Sequence, residues 1–107
     1  MTFDAIKPSD DGRAWVEVDL NALAHNTVEL SSLLPQSCKL MAVVKADAYG
    51  HGAQAVASLL QREGVSAFAV ATVYEGAQLR QSGIKGEILV LGYTHPKDAR
   101  MLSAYNL

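Results

Sequence analysis

Lysine, tyrosine and histidine fall close together in the run Val43-Val44-Lys45-Ala46-Asp47-Ala48-Tyr49-Gly50-His51-Gly52. An amine at the desolvated end of an apolar strand is held more in its neutral form, and a neutral amine is what attacks an aldehyde. A tyrosine hydroxyl such as that of Tyr49 can donate to a phosphate oxygen. Gly50 and Gly52 let the backbone approach a ligand closely. His51 could serve such a site or cap the helix that follows. A plainer description fits the same spacing: a lysine after an apolar strand is often a solvated strand end, and two glycines can be turn punctuation alone. Spacing leaves both open. The chain has no Gly-x-Gly-x-x-Gly loop, P-loop or Gly-x-Ser-x-Gly elbow. Its one cysteine, Cys38, has no Cys or His at ligand spacing. Neither a metal centre nor an internal disulfide is expected, and Cys38 reads as a buried or half-buried thiol.

The elements around the run decide where Lys45 stands. Leu40-Met41-Ala42-Val43-Val44, Ala67-Phe68-Ala69-Val70-Ala71 and Ile88-Leu89-Val90-Leu91 are continuous apolar runs without alternation. Strands buried on both faces of a helix-covered parallel sheet read this way. Between them, Ala53, Val56, Ala57 and Leu60 share a helix face ended by Gly64, and Thr72 can cap a helix carrying Ala77, Leu79 and Arg80 and ended by Gly83. Thr94 and Pro96 read as the cap and first turn of another helix running toward Leu102. Upstream, residues 14–19 alternate as a strand with two unlike faces. Leu20, Leu23, Thr27, Leu30 and Leu34 then step as one helical stripe, with Asp19 or Asn21 as cap and Pro35 as stop. His25 and Asn26 read as helix surface. Residues 1–12 are polar and read as a flexible lead-in.

The fold class is therefore α/β with a parallel sheet. Lys45 closes the first buried strand, at the end of the sheet where parallel α/β folds keep their chemistry. Spacing alone does not choose between a barrel and a doubly wound sheet. A closed (β/α)8 barrel takes about 250 residues, so 107 residues read as an incomplete folding unit with unpaired, apolar edge strands. Half of the residues are hydrophobic, 19% are charged and the net charge is -2. That balance fits a globular chain and argues against nucleic acid as a partner. No signal peptide or membrane span is expected, and a cytoplasmic location follows.

Residues 44–52 read Val-Lys-Ala-Asp-Ala-Tyr-Gly-His-Gly, and here the sequence resembles bacterial alanine racemases, whose lysine motif for pyridoxal 5'-phosphate (PLP) has that wording. Trp15-Val16-Glu17-Val18-Asp19-Leu20 with His25-Asn26 is similar to the family's opening segment. Phe68-Ala69-Val70-Ala71-Thr72 with Glu75, Ala77, Leu79, Arg80, Gly83 and Ile84 is similar to its next βα unit, and Ile88-Leu89-Val90-Leu91-Gly92-Tyr93 to the strand after that. The resemblance spans roughly residues 13–100. It implies the N-terminal βα units of a fold-type III, PLP-bearing (β/α)8 TIM-type barrel. Residues 13–107 are then the front of the barrel domain, and the rest of the barrel and a C-terminal β domain are not in this sequence.

The resemblance also implies roles. Lys45 would carry PLP and move the α-proton of alanine on one face; Tyr49 would hydrogen-bond the cofactor phosphate; Val43 and Leu91 would line the cofactor pocket. The second base of the family is a tyrosine from the partner subunit of a homodimer with shared active sites, so this chain alone is expected to be inactive. The activity implied is interconversion of L- and D-alanine for peptidoglycan precursors. Alternatives are a racemase for serine, lysine or a broader set, and a non-catalytic PLP-binding barrel. The latter proteins lack the Tyr-Gly-His-Gly continuation and the Trp-Val-Glu-Val-Asp-Leu opening.

Overall fold

Three short parallel strands, β1 (Met41–Val43), β2 (Ala67–Val70) and β3 (Glu87–Val90), pair in sequence order. They belong to a computed structural model that describes residues 13–107; the expected lead-in, residues 1–12, lies outside the described residues. The helical elements are α1 (Leu20–Ser32), a single turn α2 (Lys45–Tyr49), α3 (Ala53–Arg62), α4 (Val73–Gln81), a 3-10 turn (Pro96–Asp98) and α5 (Ala99–Ala104).

Register explains which face is covered. Ala42 pairs with Phe68 and Phe68 with Ile88, and one step further Val70 pairs with Val90. These residues pack against Val56, Ala57 and Leu60 of α3, Leu79 of α4 and Leu23 of α1. The alternate set, Met41, Val43 and Leu89, faces the other way and is 41%, 41% and 47% exposed. The apolar runs thus do not mean burial on both faces throughout. Only β2 is buried along its length, where Ala67 and Ala69 lie between larger neighbours; β1 and β3 are buried on one face. Helices α1 to α4 contribute to the core on one face, and successive strands are immediate neighbours. A doubly wound sheet covers both faces, whereas a (β/α)8 barrel keeps every helix outside. The architecture is the front part of such a barrel.

Helix boundaries follow local chemistry. The Asp19 side chain accepts from Asn21 N and Ala22 N and starts α1. On the α1 stripe, Thr27 is buried and its hydroxyl donates to Leu23 O at 2.8 Å, but Leu30 and Leu34 remain exposed. Gly64 and Gly83, at φ +96° and +88°, end α3 and α4 in the left-handed conformation expected of helix-terminal glycine.

Three expectations need correction. Residues 14–19 form no ladder; Trp15 and Val16 are exposed, since no neighbouring strand among the described residues offers them backbone partners. His95, not Thr94, caps the turn after β3: the residue before a proline is held extended, and His95 Nδ1 accepts from Lys97 N at 3.1 Å. Cys38 is exposed, because it lies in the connection between α1 and β1 outside the helix-covered face.

Candidate functional site

The C-terminal end of the sheet gathers the βα connections. The β1 ladder continues one residue past the strand, with Val44 N donating to Ala69 O at 2.8 Å. Half-buried Lys45 comes next, and then the chain does something L-residues avoid. Ala46, Asp47, Ala48 and Tyr49 have φ of +50°, +56°, +53° and +57°, and Gly50 follows at +88°. This is a left-handed turn, closed by Gly50 N to Ala46 O at 3.1 Å and Gly52 N to Asp47 O at 2.9 Å. Each non-glycine residue in that conformation costs about 1–2 kcal/mol, so the turn must be held from outside.

Four groups hold it. Ala48 is buried in the core cluster. Asp47 Oδ1 accepts from Ala53 N at 2.8 Å, tying the turn to the start of α3. His51 Nδ1 donates to Ala48 O at 2.9 Å, which fixes the proton on that nitrogen. His51 therefore closes the turn behind it and does not cap α3. Glu75 Oε2 accepts from Ala46 N at 2.7 Å across the gap between neighbouring βα connections.

Glu75 has a second set of bonds. Its Oε1 accepts from Ala71 N at 2.8 Å and Thr72 N at 3.1 Å, while Thr72 Oγ1 accepts from Glu75 N at 3.2 Å. This capping box starts α4. Further along the same rim, the Tyr74 hydroxyl donates to Asp98 Oδ1 at 3.0 Å. That bond and the neighbouring negative charge hold the Tyr74 phenol above its ordinary ionisation range.

Of the sequence-derived residues, Val43 and Leu91 are both exposed on the side of the sheet that the helices leave open. Val43, Ala69 and Leu89 share a register level, so Leu91 stands two residues higher, level with Lys45. Tyr49 rides on the left-handed turn and is exposed. The set offers a primary amine for an aldehyde, a phenol that can donate to a phosphate, and two apolar side chains beside them for an aromatic ring. In chemical type it fits a PLP-like cofactor. Among the described residues no cluster of three or more His, Cys, Asp or Glu could hold a metal ion, and no helix is long and apolar enough to cross a membrane.

Sequence reasoning missed Asp47, His51 and Glu75 as the holders of the turn. Thr72-x-x-Glu75 is legible as a capping box. The reach of Glu75 to Ala46 has no local signal, because the two lie 29 residues apart.

Residues 18–107 match the family described as alanine racemase, N-terminal domain. The chain is 52% identical over 96 residues to an alanine racemase of Nostoc sp., covering 89% of this chain and 25% of that protein. It is 50% identical over 95 residues to a serine/alanine racemase of Enterococcus gallinarum, covering 89% of this chain and 14% of that one. Among solved structures, alanine racemase of Clostridium difficile 630 superposes with a TM-score of 0.79 at 43% identity, over 82% of this chain and 24% of that one. The chain thus spans a quarter or less of the length of these relatives.

Proposed function

Since the chain belongs to the alanine racemase N-terminal domain family, we propose that residues 13–107 are the front of the PLP-binding barrel domain of an alanine racemase. The observation that carries the reading is Lys45: the family's lysine stands at the C-terminal end of β1, where a barrel keeps its chemistry, on a turn held by three side chains. PLP, when bound, supplies the electron sink that stabilises charge left on the substrate α-carbon. The chain's own residues do the rest. The Lys45 Nζ would hold the cofactor at its aldehyde and would take or return the α-proton of the substrate on one face. Tyr49 donates to the phosphate. Val43 and Leu91 form apolar wall, excluding water from that side of the site.

Reversing configuration requires a proton donor on the opposite face. In the family that group is a tyrosine of the partner subunit's C-terminal domain, outside residues 1–107. The working enzyme is accordingly a cytoplasmic homodimer acting on a small amino acid. A serine-accepting racemase is the second reading, favoured by the 50% identity to the Enterococcus gallinarum protein: this segment carries the cofactor lysine but does not separate the two substrates. The test is racemisation of L-alanine and L-serine with PLP, for this chain and for a polypeptide that continues through barrel and β domain. The longer protein should racemise alanine and the 107-residue chain should not. Family-like turnover by the short chain contradicts the shared-site reading, and no turnover by the long one contradicts the assignment.

A further inference from the structure

We propose that Glu75 is a positioning residue for Lys45: its carboxylate binds the amide that follows Lys45 to the end of β2 and so sets where the lysine leaves the sheet. The inference rests on the role of Lys45 proposed above.

Glu75 takes three backbone N–H groups from two neighbouring βα connections. Oε1 accepts from Ala71 N and Thr72 N, and Oε2 accepts from Ala46 N. The Ala46 amide belongs to the same peptide plane as the Lys45 carbonyl. Holding that N–H therefore fixes the plane on the C-terminal side of Lys45, while the bond from Val44 N to Ala69 O fixes the chain just before it. Lys45 is pinned on both sides: the pin before it leads to β2 itself, and the pin after it leads through Glu75 to the β2–α4 connection. The long lysine side chain magnifies any tilt at its Cα into displacement at Nζ.

An ordinary capping box needs only the bonds at the start of α4. The reach to Ala46 is additional. In the left-handed turn the first amide has no earlier carbonyl of the turn to bind. At 2.7 Å the carboxylate supplies the missing acceptor. Length matters: an aspartate at position 75 is one methylene shorter and can serve the helix start but not Ala46. So does charge: glutamine keeps the length but turns one oxygen into an NH2 donor, which cannot accept from an amide.

The experiment compares Glu75→Asp, Glu75→Gln and Thr72→Ala in the complete racemase polypeptide. Thr72→Ala removes the hydroxyl cap of α4 and leaves the Glu75 carboxylate in place. PLP affinity is read by absorbance titration, attachment by borohydride reduction and peptide mass spectrometry, folding by melting without cofactor, and the Ala46 amide by hydrogen exchange. Both Glu75 variants should fold, exchange faster at residues 45–50 and bind PLP on the order of 10-fold or more weaker, as when a group orienting a ligating side chain is lost. Thr72→Ala should keep PLP affinity near that of the unchanged protein. Unchanged PLP affinity in the Glu75 variants overturns the inference. So does an equal loss in Thr72→Ala, which would assign the effect to the helix start, or unfolding of both Glu75 variants, which would assign Glu75 to the scaffold. If the unchanged protein takes no PLP, the role of Lys45 falls and this inference with it. Faster exchange at Ala46 in Glu75→Asp would then still report the lost bond.

Discussion

Replacing Ala46 by glycine should stabilise this protein, although the same change in a right-handed helix destabilises it. Ala46 is exposed, with φ of +50°, and is the first of the four non-glycine residues in the left-handed turn. Its Cβ meets the steric penalty of about 1–2 kcal/mol that left-handed L-residues carry. Glycine removes that penalty but loses more backbone freedom on folding, which takes back roughly 0.5–1 kcal/mol. The expected net gain is about 0.5–1 kcal/mol. Ala55 gives an internal control, since it too is exposed but sits inside α3. There Ala→Gly should cost about 0.8–1 kcal/mol. Urea unfolding of the two variants, followed by circular dichroism with unchanged slope, should move their midpoints in opposite directions. Nothing else in the neighbourhood changes, because Ala46 contributes only its backbone N–H to the bond with the Glu75 carboxylate. If Ala46→Gly lowers the midpoint as much as Ala55→Gly, the turn is right-handed and the account of how Lys45 is presented is wrong.

Other consequences are more local. Arg80 donates to five backbone carbonyls, those of Ile84, Lys85, Gly86, Tyr105 and Asn106, and so clasps the end of α5 to the α4–β3 connection. Arg80→Ala should cost about 3 kcal/mol in chemical denaturation, with lysine restoring only part because it lacks the fork of donors; a loss too small to measure contradicts the clasp. A Cβ on Gly92 would collide with Ala71 O, so Gly92→Ala should cost about 1–3 kcal/mol and loosen the β2 end that Glu75 grips; an unchanged melt refutes the tight approach. The Tyr74 phenol is held above its ordinary ionisation range in the folded state because Asp98 accepts from its hydroxyl and repels the phenolate. A raised folded value means that this bond contributes stability below the unfolded value and loses it as pH rises through the folded one. Tyr74→Phe should remove the corresponding component from an alkaline absorbance titration, and an identical titration contradicts the pairing.

The sequence was most readable where local chemistry acts alone. Asp19 and Thr72 announce helix starts, Gly64 and Gly83 announce ends, and the apolar runs announce three strands at sites that the structure bears out. Burial was less readable, because an apolar run does not say whether a second layer exists to cover it; Val43 and Leu91 are exposed for that reason. The choice of barrel over doubly wound sheet needed the strand order and the single covered face. In residues 44–52 composition shows a motif but not its hand. Alanine and tyrosine are not left-handed formers and aspartate enters that region only as an isolated residue, and the conformation of the run depends on Glu75 reaching from the next βα unit and on Asp47 and His51 bonding within the turn.

The central claim is that Lys45 carries the cofactor, and chemical trapping tests it directly. The complete polypeptide is loaded with PLP, reduced with borohydride, digested and sequenced by mass spectrometry. The account predicts the pyridoxyl group on the peptide containing Lys45 and its loss in Lys45→Ala. Label on Lys39, Lys85 or Lys97 instead, or none on any lysine, would contradict it.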